Sequence, residues 1–146
     1  MSDENVERVR QVFELFRNRD STAEMGFGER DVVAATELFH PDFELDATRA
    51  PMHDVRGRFR GLSEVMKFWR RWLEAWESVE FEAKLTDAAG DRVFVELKQR
   101  MRGKGSGIEV PFPPYWQVFT LSEGQVIGQA IFLDKGEALA AAGLSE

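Results

Sequence analysis

Three glutamines, one aspartate and the chain's single tyrosine are the side chains best placed to act on a small molecule. Gln99, Gln117 and Gln129 stand with Tyr115 at odd-numbered positions of strand-like stretches, so they share one sheet face with Leu97, Phe119 and Ile131. Glutamine donates and accepts hydrogen bonds but does not titrate. It can orient a carbonyl or hydroxyl and cannot abstract a proton. The alternative is that these amides hydrogen-bond one another or water inside an ordinary sheet. A proton transfer needs a base, and Asp46 is the candidate, because apolar Phe43 and Leu45 beside it would raise its pKa. Its plainer reading is a solvated carboxylate paired with Arg49. Tyr115 would serve as an acid or oxyanion donor, or would anchor a strand end with its hydroxyl in water.

Around these stand further candidates. Trp69, Trp72 and Trp76 recur at helical spacing and would line a ligand cavity along one edge, though at that spacing they are first of all core. Arg49, Arg56, Arg58 and Arg60, with His53 among them, form a basic loop that would receive a polar ligand group at a pocket mouth or lie solvated. No spacing motif joins His40 to His53 and the chain has no cysteine, so neither a metal nor a cofactor is expected. Gly103 to Gly107 resembles a phosphate cradle only superficially. It joins two strands, where a phosphate loop would open a helix.

The elements that would position these residues follow from hydrophobic periodicity. Val6, Val9, Val12, Phe13 and Phe16 predict a helix over 2–19, a second runs from Glu29 to Phe39, and Pro41 ends it. Phe43, Leu45 and Ala47 alternate with polar residues as a short strand. After the arginine loop, Leu62, Val65, Met66, Trp69, Trp72, Leu73 and Trp76 predict a third helix opened by Gly61. The period then switches to two, giving strands over 79–85, 92–102, 115–121 and 125–133 joined by turns at Asp87–Gly90, Gly103–Gly107 and Ser122–Gly124, with a short Ala-rich helix last. Helices first and a strand meander afterwards is the α+β order.

The chain has 146 residues, enough for one core that needs no disulfide or metal. A net charge of −7 disfavours nucleic acid and acidic membranes as partners. No stretch is long and apolar enough to span a bilayer, and the acidic N-terminus lacks a leader pattern, so a cytoplasmic protein is expected. Twelve Phe and four Trp provide ring surface for lining a cavity as well as filling a core.

Leu38-Phe39-His40-Pro41-Asp42-Phe43, Phe59-Arg60-Gly61, Gly90-Asp91-Arg92-Val93 and the run from Val118 to Val126, taken in order, resemble the SnoaL-like branch of the nuclear transport factor 2-like superfamily. The resemblance covers nearly the whole chain, read as one domain over 1–146. It implies a cystatin-like α+β roll: a cone of curved antiparallel sheet around three helices of the N-terminal half, with a pocket at its open end. It also implies a homodimer through the outer sheet face, here around Phe94, Trp116, Val118 and Phe132. Members include ketosteroid isomerases, polyketide cyclases, limonene epoxide hydrolases and scytalone dehydratases. Their acids do not carry over: the isomerase base slot falls on Ala47, one residue beyond Asp46. The isomerase oxyanion positions hold Val12 or Phe13 and Gln117, and where epoxide hydrolases place an Arg and an Asp two apart and a second Asp on the final strand, this sequence has Leu97, Gln99 and Ile131.

The expectation is a pocket for an apolar, cyclic, oxygen-bearing small molecule. Turnover, where present, would be cofactor-free proton transfer of isomerase, cyclase or dehydratase type, with Asp46 as base and Gln117, Gln99 or Tyr115 steadying charge on oxygen. The alternative is a non-catalytic homodimeric binding or assembly module.

Overall fold

The structure is a computed structural model that describes residues 2–17, 35–49, 57–74, 76–88, 90–103, 105–111 and 114–144. Helix α1 (Ser2–Arg17) is followed by helical residues 35–38 and strand β1 (Phe39–Asp46), then β2 (Arg58–Arg60) and helix α2 (Leu62–Glu74). Strands β3 (Trp76–Ala88), β4 (Arg92–Gly103), β5 (Glu109–Pro111), β6 (Tyr115–Ser122) and β7 (Gln125–Phe132) lead to the terminal helix α3 (Lys135–Ala142). The expected second helix falls mostly at residues outside the described ones. Trp76 opens β3 rather than ending a helix, and β5 extends the ladder where a loop was expected. Pro111 is tolerated there because β5 pairs only with β4.

The sheet runs β2-β1-β7-β6-β4-β3, with β5 beside β4, and its two ends stay apart as an open curved sheet. Every pair is antiparallel except β1 with β7, which lie parallel. That exception departs from the expected all-antiparallel sheet. A parallel pair requires a long crossover, and most of the chain separates these two strands.

One face of the sheet holds the main core. Val9, Val12 and Phe13 of α1 and Val65, Met66 and Phe68 of α2 pack there against Phe43, Leu45, Val93, Val95, Leu97 and Phe119. The Phe13 ring lies 5.7 Å from Phe81 and 5.8 Å from Phe119, and Phe59 meets Phe68 at 5.0 Å. Helix α2 begins where Gly61 donates its N–H to the Phe43 carbonyl of β1 (2.7 Å). Its Glu64 carboxylate accepts from the Arg60 N–H (2.9 Å), tying the helix start to β2. Strands β6 and β7 turn through Glu123 and Gly124 with φ of 51° and 81°, the pair of positive values that a two-residue turn between twisted strands requires.

The outer face carries a second, smaller cluster. Ala138, Leu139 and Ala142 of α3 cover Phe94, Val118 and Phe132, with Trp116 and Ala130 beside them. Three of the four side chains assigned to a homodimer contact are therefore occupied by the chain's own terminal helix. Asp134 caps α3 by accepting from the Glu137 N–H (2.9 Å), and Gly143 closes it in the left-handed conformation, as its position suggested. Asp134→Ala should lower unfolding stability by about 1 kcal/mol, read as a reduced urea midpoint with unchanged slope. An unchanged midpoint would show that the cap does not hold the helix on the sheet.

Candidate functional site

Cross-strand pairing decides which side chains share a face. Leu45, Gln129, Phe119 and Val93 form one row across β1, β7, β6 and β4, and Ile131, Gln117, Val95 and Leu85 form another. Tyr115 pairs with Leu97 and Gln99 with Phe81 further along the same face. These are the rows that bury against α1 and α2, so the concave face carries the glutamines and Tyr115 among Leu97, Phe119 and Ile131, as the alternation predicted. Lys98, by contrast, is exposed and Glu96 half-buried.

The polar groups on this face form a short line. Gln129 Nε2 donates to Gln117 Oε1 at 2.7 Å, a contact between diagonal neighbours on β7 and β6. The Gln117 side chain also hydrogen-bonds the Tyr115 hydroxyl. Burial pushes the Tyr115 phenol well above its ordinary value, and the bond with Gln117 recovers only part of that shift, so the residue is neutral at physiological pH. It is not the water-facing strand anchor of the alternative reading. Two of the three buried side-chain polar atoms left without a partner among the described residues are Gln99 Oε1 and Gln129 Oε1. The third, the Trp116 indole N–H, is on the outer face.

Asp46 lies on that outer face too. Its row continues through Ala130, Val118 and Phe94, and the β1–β7 register is regular from Glu44 to Asp46, so no bulge turns the carboxylate inward. The inward position is the fully buried Ala47. Burial alone would raise the Asp46 pKa. Hydrogen bonds from the Thr48 hydroxyl (2.6 Å) and N–H (3.1 Å), with the charges of Arg58 and Arg49 at 3.8 and 3.9 Å, outweigh it and hold the carboxyl below its ordinary 3.8. The expected base with a raised pKa is thus a structural carboxylate with a lowered one. Arg49 also lies 3.7 Å from Glu137 of α3 and 5.5 Å over the Phe132 ring, far from a pocket-mouth role on the concave side. The spacing Asp46-Ala47-Thr48 carried a signal for this, since an aspartate readily accepts from the backbone two residues on.

His53 lies outside the described residues, as do the side chains of Trp69 and Trp72, although both tryptophans fall within α2. The helix residue that the periodicity missed is Phe68, buried against Phe59. His40 accepts from the Asp42 N–H through Nδ1 (3.0 Å), and no group of three metal-ligating side chains exists among the described residues. Among the described residues, grooves of about 830 and 390 Å³ open between α1 and the β6–β7 turn and beside α3, and Gln99, Gln117 and Gln129 line neither.

Compared with known proteins, residues 9–129 match the model of the SnoaL-like domain. No protein of curated function matches the chain in sequence. Among solved structures, a nuclear transport factor 2-like protein of unknown function from Burkholderia pseudomallei K96243 superposes with a TM-score of 0.67 at 20% identity, covering 95% of this chain and 97% of its own. TerC, co-crystallised with polyporic acid, gives 0.66 at 16% identity with 95% and 97% coverage. A candidate SnoaL-like polyketide cyclase from Jannaschia sp. CCS1 gives 0.63 at 24% identity with 96% and 94%.

The lowered Asp46 pKa has a definite sign for stability. An ionised carboxylate held low stabilises the fold fully above 3.8, and the contribution is lost as pH falls through the depressed value. Asp46→Asn should therefore melt below the parent protein at about pH 7, and the gap should narrow as the pH falls below 3.8 and through the depressed value. A gap constant across that range, followed by circular dichroism, would contradict the Thr48 and arginine contacts as its origin.

Proposed function

The chain belongs to the SnoaL-like domain family, and we propose that it binds a small, uncharged, largely apolar, oxygen-bearing molecule on the concave face of its sheet. The observation that carries this reading is the hydrogen-bonded line of Tyr115, Gln117 and Gln129 set inside apolar surface. Buried amides are costly to desolvate, and polar groups converging in an apolar concavity are the usual signature of a site that orients a ligand. TerC, with a similar fold, has been crystallised with a small organic molecule, which supports the same use of this architecture.

Recognition is by neutral groups. Across the two rows holding Leu45, Gln129, Phe119 and Val93 and Ile131, Gln117, Val95 and Leu85 there is no carboxylate, lysine, arginine or histidine. Proton abstraction by Asp46 is not part of the reading, because its carboxylate faces away and is already paired. Tyr115 acts as a neutral hydroxyl that fixes the orientation of Gln117, and through it of Gln129. Leu97, Phe119 and Ile131 supply the apolar walls.

A thermal-shift screen of uncharged terpenoids, steroids and polyketide fragments against matched carboxylic acids tests this directly. Uncharged compounds should raise the melting temperature and the acids should not. The shift should survive Asp46→Asn and fall at least about threefold in Gln117→Met, which removes the central amide while keeping its volume. Hits abolished by Asp46→Asn and unaffected by Gln117→Met would overturn the assignment.

A further inference from the structure

Hydrogen-bond accounting on the concave face narrows the ligand further. Gln129 is 9% exposed and donates one of its two amide N–H bonds to Gln117 Oε1, while its carbonyl oxygen receives no donor from the described residues. That oxygen is sealed from solvent and has no partner. Gln99 Oε1, two strands away and six residues further along β4 than Val93 of the Gln129 row, is in the same condition. Both groups want the same thing, because a carbonyl oxygen accepts and never donates. Apart from Gln117 and Tyr115, which are engaged with Gln129 and with each other, the neighbouring rows supply apolar side chains, and the cations Arg49 and Arg58 are engaged with Asp46 on the opposite face.

We propose that the ligand of this face is a hydrogen-bond donor, an apolar skeleton carrying a hydroxyl or N–H group that is received by the carbonyl oxygen of Gln129 or of Gln99. The inference rests on the binding reading above and specifies which oxygen chemistry it accepts. It departs from the expectation that the glutamines steady negative charge, since the two buried side-chain atoms left without a partner on this face are both acceptors. A carboxylate, ether or ketone would set lone pairs against lone pairs and leave both oxygens unpaired. An apolar body is required as well, because reaching either oxygen means replacing the side chains that cover it.

The test uses three probes of one skeleton, 2-naphthol, 2-methoxynaphthalene and 2-naphthoate, titrated calorimetrically into the full chain. The naphthol should bind at least about tenfold more tightly than the methoxy compound, and the naphthoate should bind weakest. In the Gln99→Met/Gln129→Met double variant the naphthol preference should shrink to within about threefold, with affinity for the methoxy compound retained or improved. Equal binding of naphthol and methoxynaphthalene to the parent protein would overturn the donor inference and leave the binding reading standing. Binding of none of the three would remove the binding reading and the inference with it. The comparison of probes on the parent protein decides the matter even where the double variant does not fold. Where it folds, as judged by its melting transition, a preference that persists undiminished assigns the donor elsewhere and overturns the proposal.

Discussion

The hydrogen-bond ladder joining β4, β6 and β7 is the constraint on which the rest of the molecule depends. Pairings such as Val95 with Gln117 and Gln117 with Ile131 leave each side chain one of two faces, and a slip of a single residue would exchange the contents of both. With the observed register, amides and rings meet two helices on the inside, while Phe94, Val118 and Phe132 meet the terminal helix outside. The same arithmetic separates neighbours in sequence. Leu45, Asp46 and Ala47 are consecutive, yet the first and third join the main core and the middle one joins the arginines.

Placing three amides and a phenol among such rings costs desolvation free energy that apolar residues would not incur. Part of it is offset by the contact between Gln129 and Gln117 and by the coupling of Gln117 to Tyr115. The remainder persists as two buried oxygens without donors among the described residues, and such a deficit is tolerated more often at a functional site than in a purely structural core. Charge is handled in the opposite manner. Asp46, Arg49, Arg58 and Glu137 gather on the outside, where water shares the burden and where Arg49 ties the end of β1 to α3.

Much of this was legible from the chain alone because period-two patterning is a strong signal in long strands. The inward set on β4 and β6 could be read directly, and the turn at Glu123–Gly124 and the cap at Gly143 followed from residue type. Local patterning was weaker where tertiary contacts decide. Phe68 sits off the simple apolar stripe yet is drawn in by Phe59, a residue from another element. Of the two readings of Asp46, the plainer one, a carboxylate paired with Arg49, is the one found; the base reading leaned on sequence proximity to Phe43 and Leu45, whereas alternation places those side chains on the opposite side of the strand. The parallel pairing of β1 with β7 left no local trace, since neither strand's pattern records the direction of its neighbour.

That parallel pair also orders events in time. During synthesis β1 leaves the ribosome long before β7 exists, so for most of elongation its partner is the three-residue β2 on its outer edge and the edge that will meet β7 waits. The concave wall is completed when the final strand arrives, and loop closure over most of the polypeptide must precede the contacts that reward it. A nascent chain stalled before Gln125 lacks the strand that joins the two halves of its own cup.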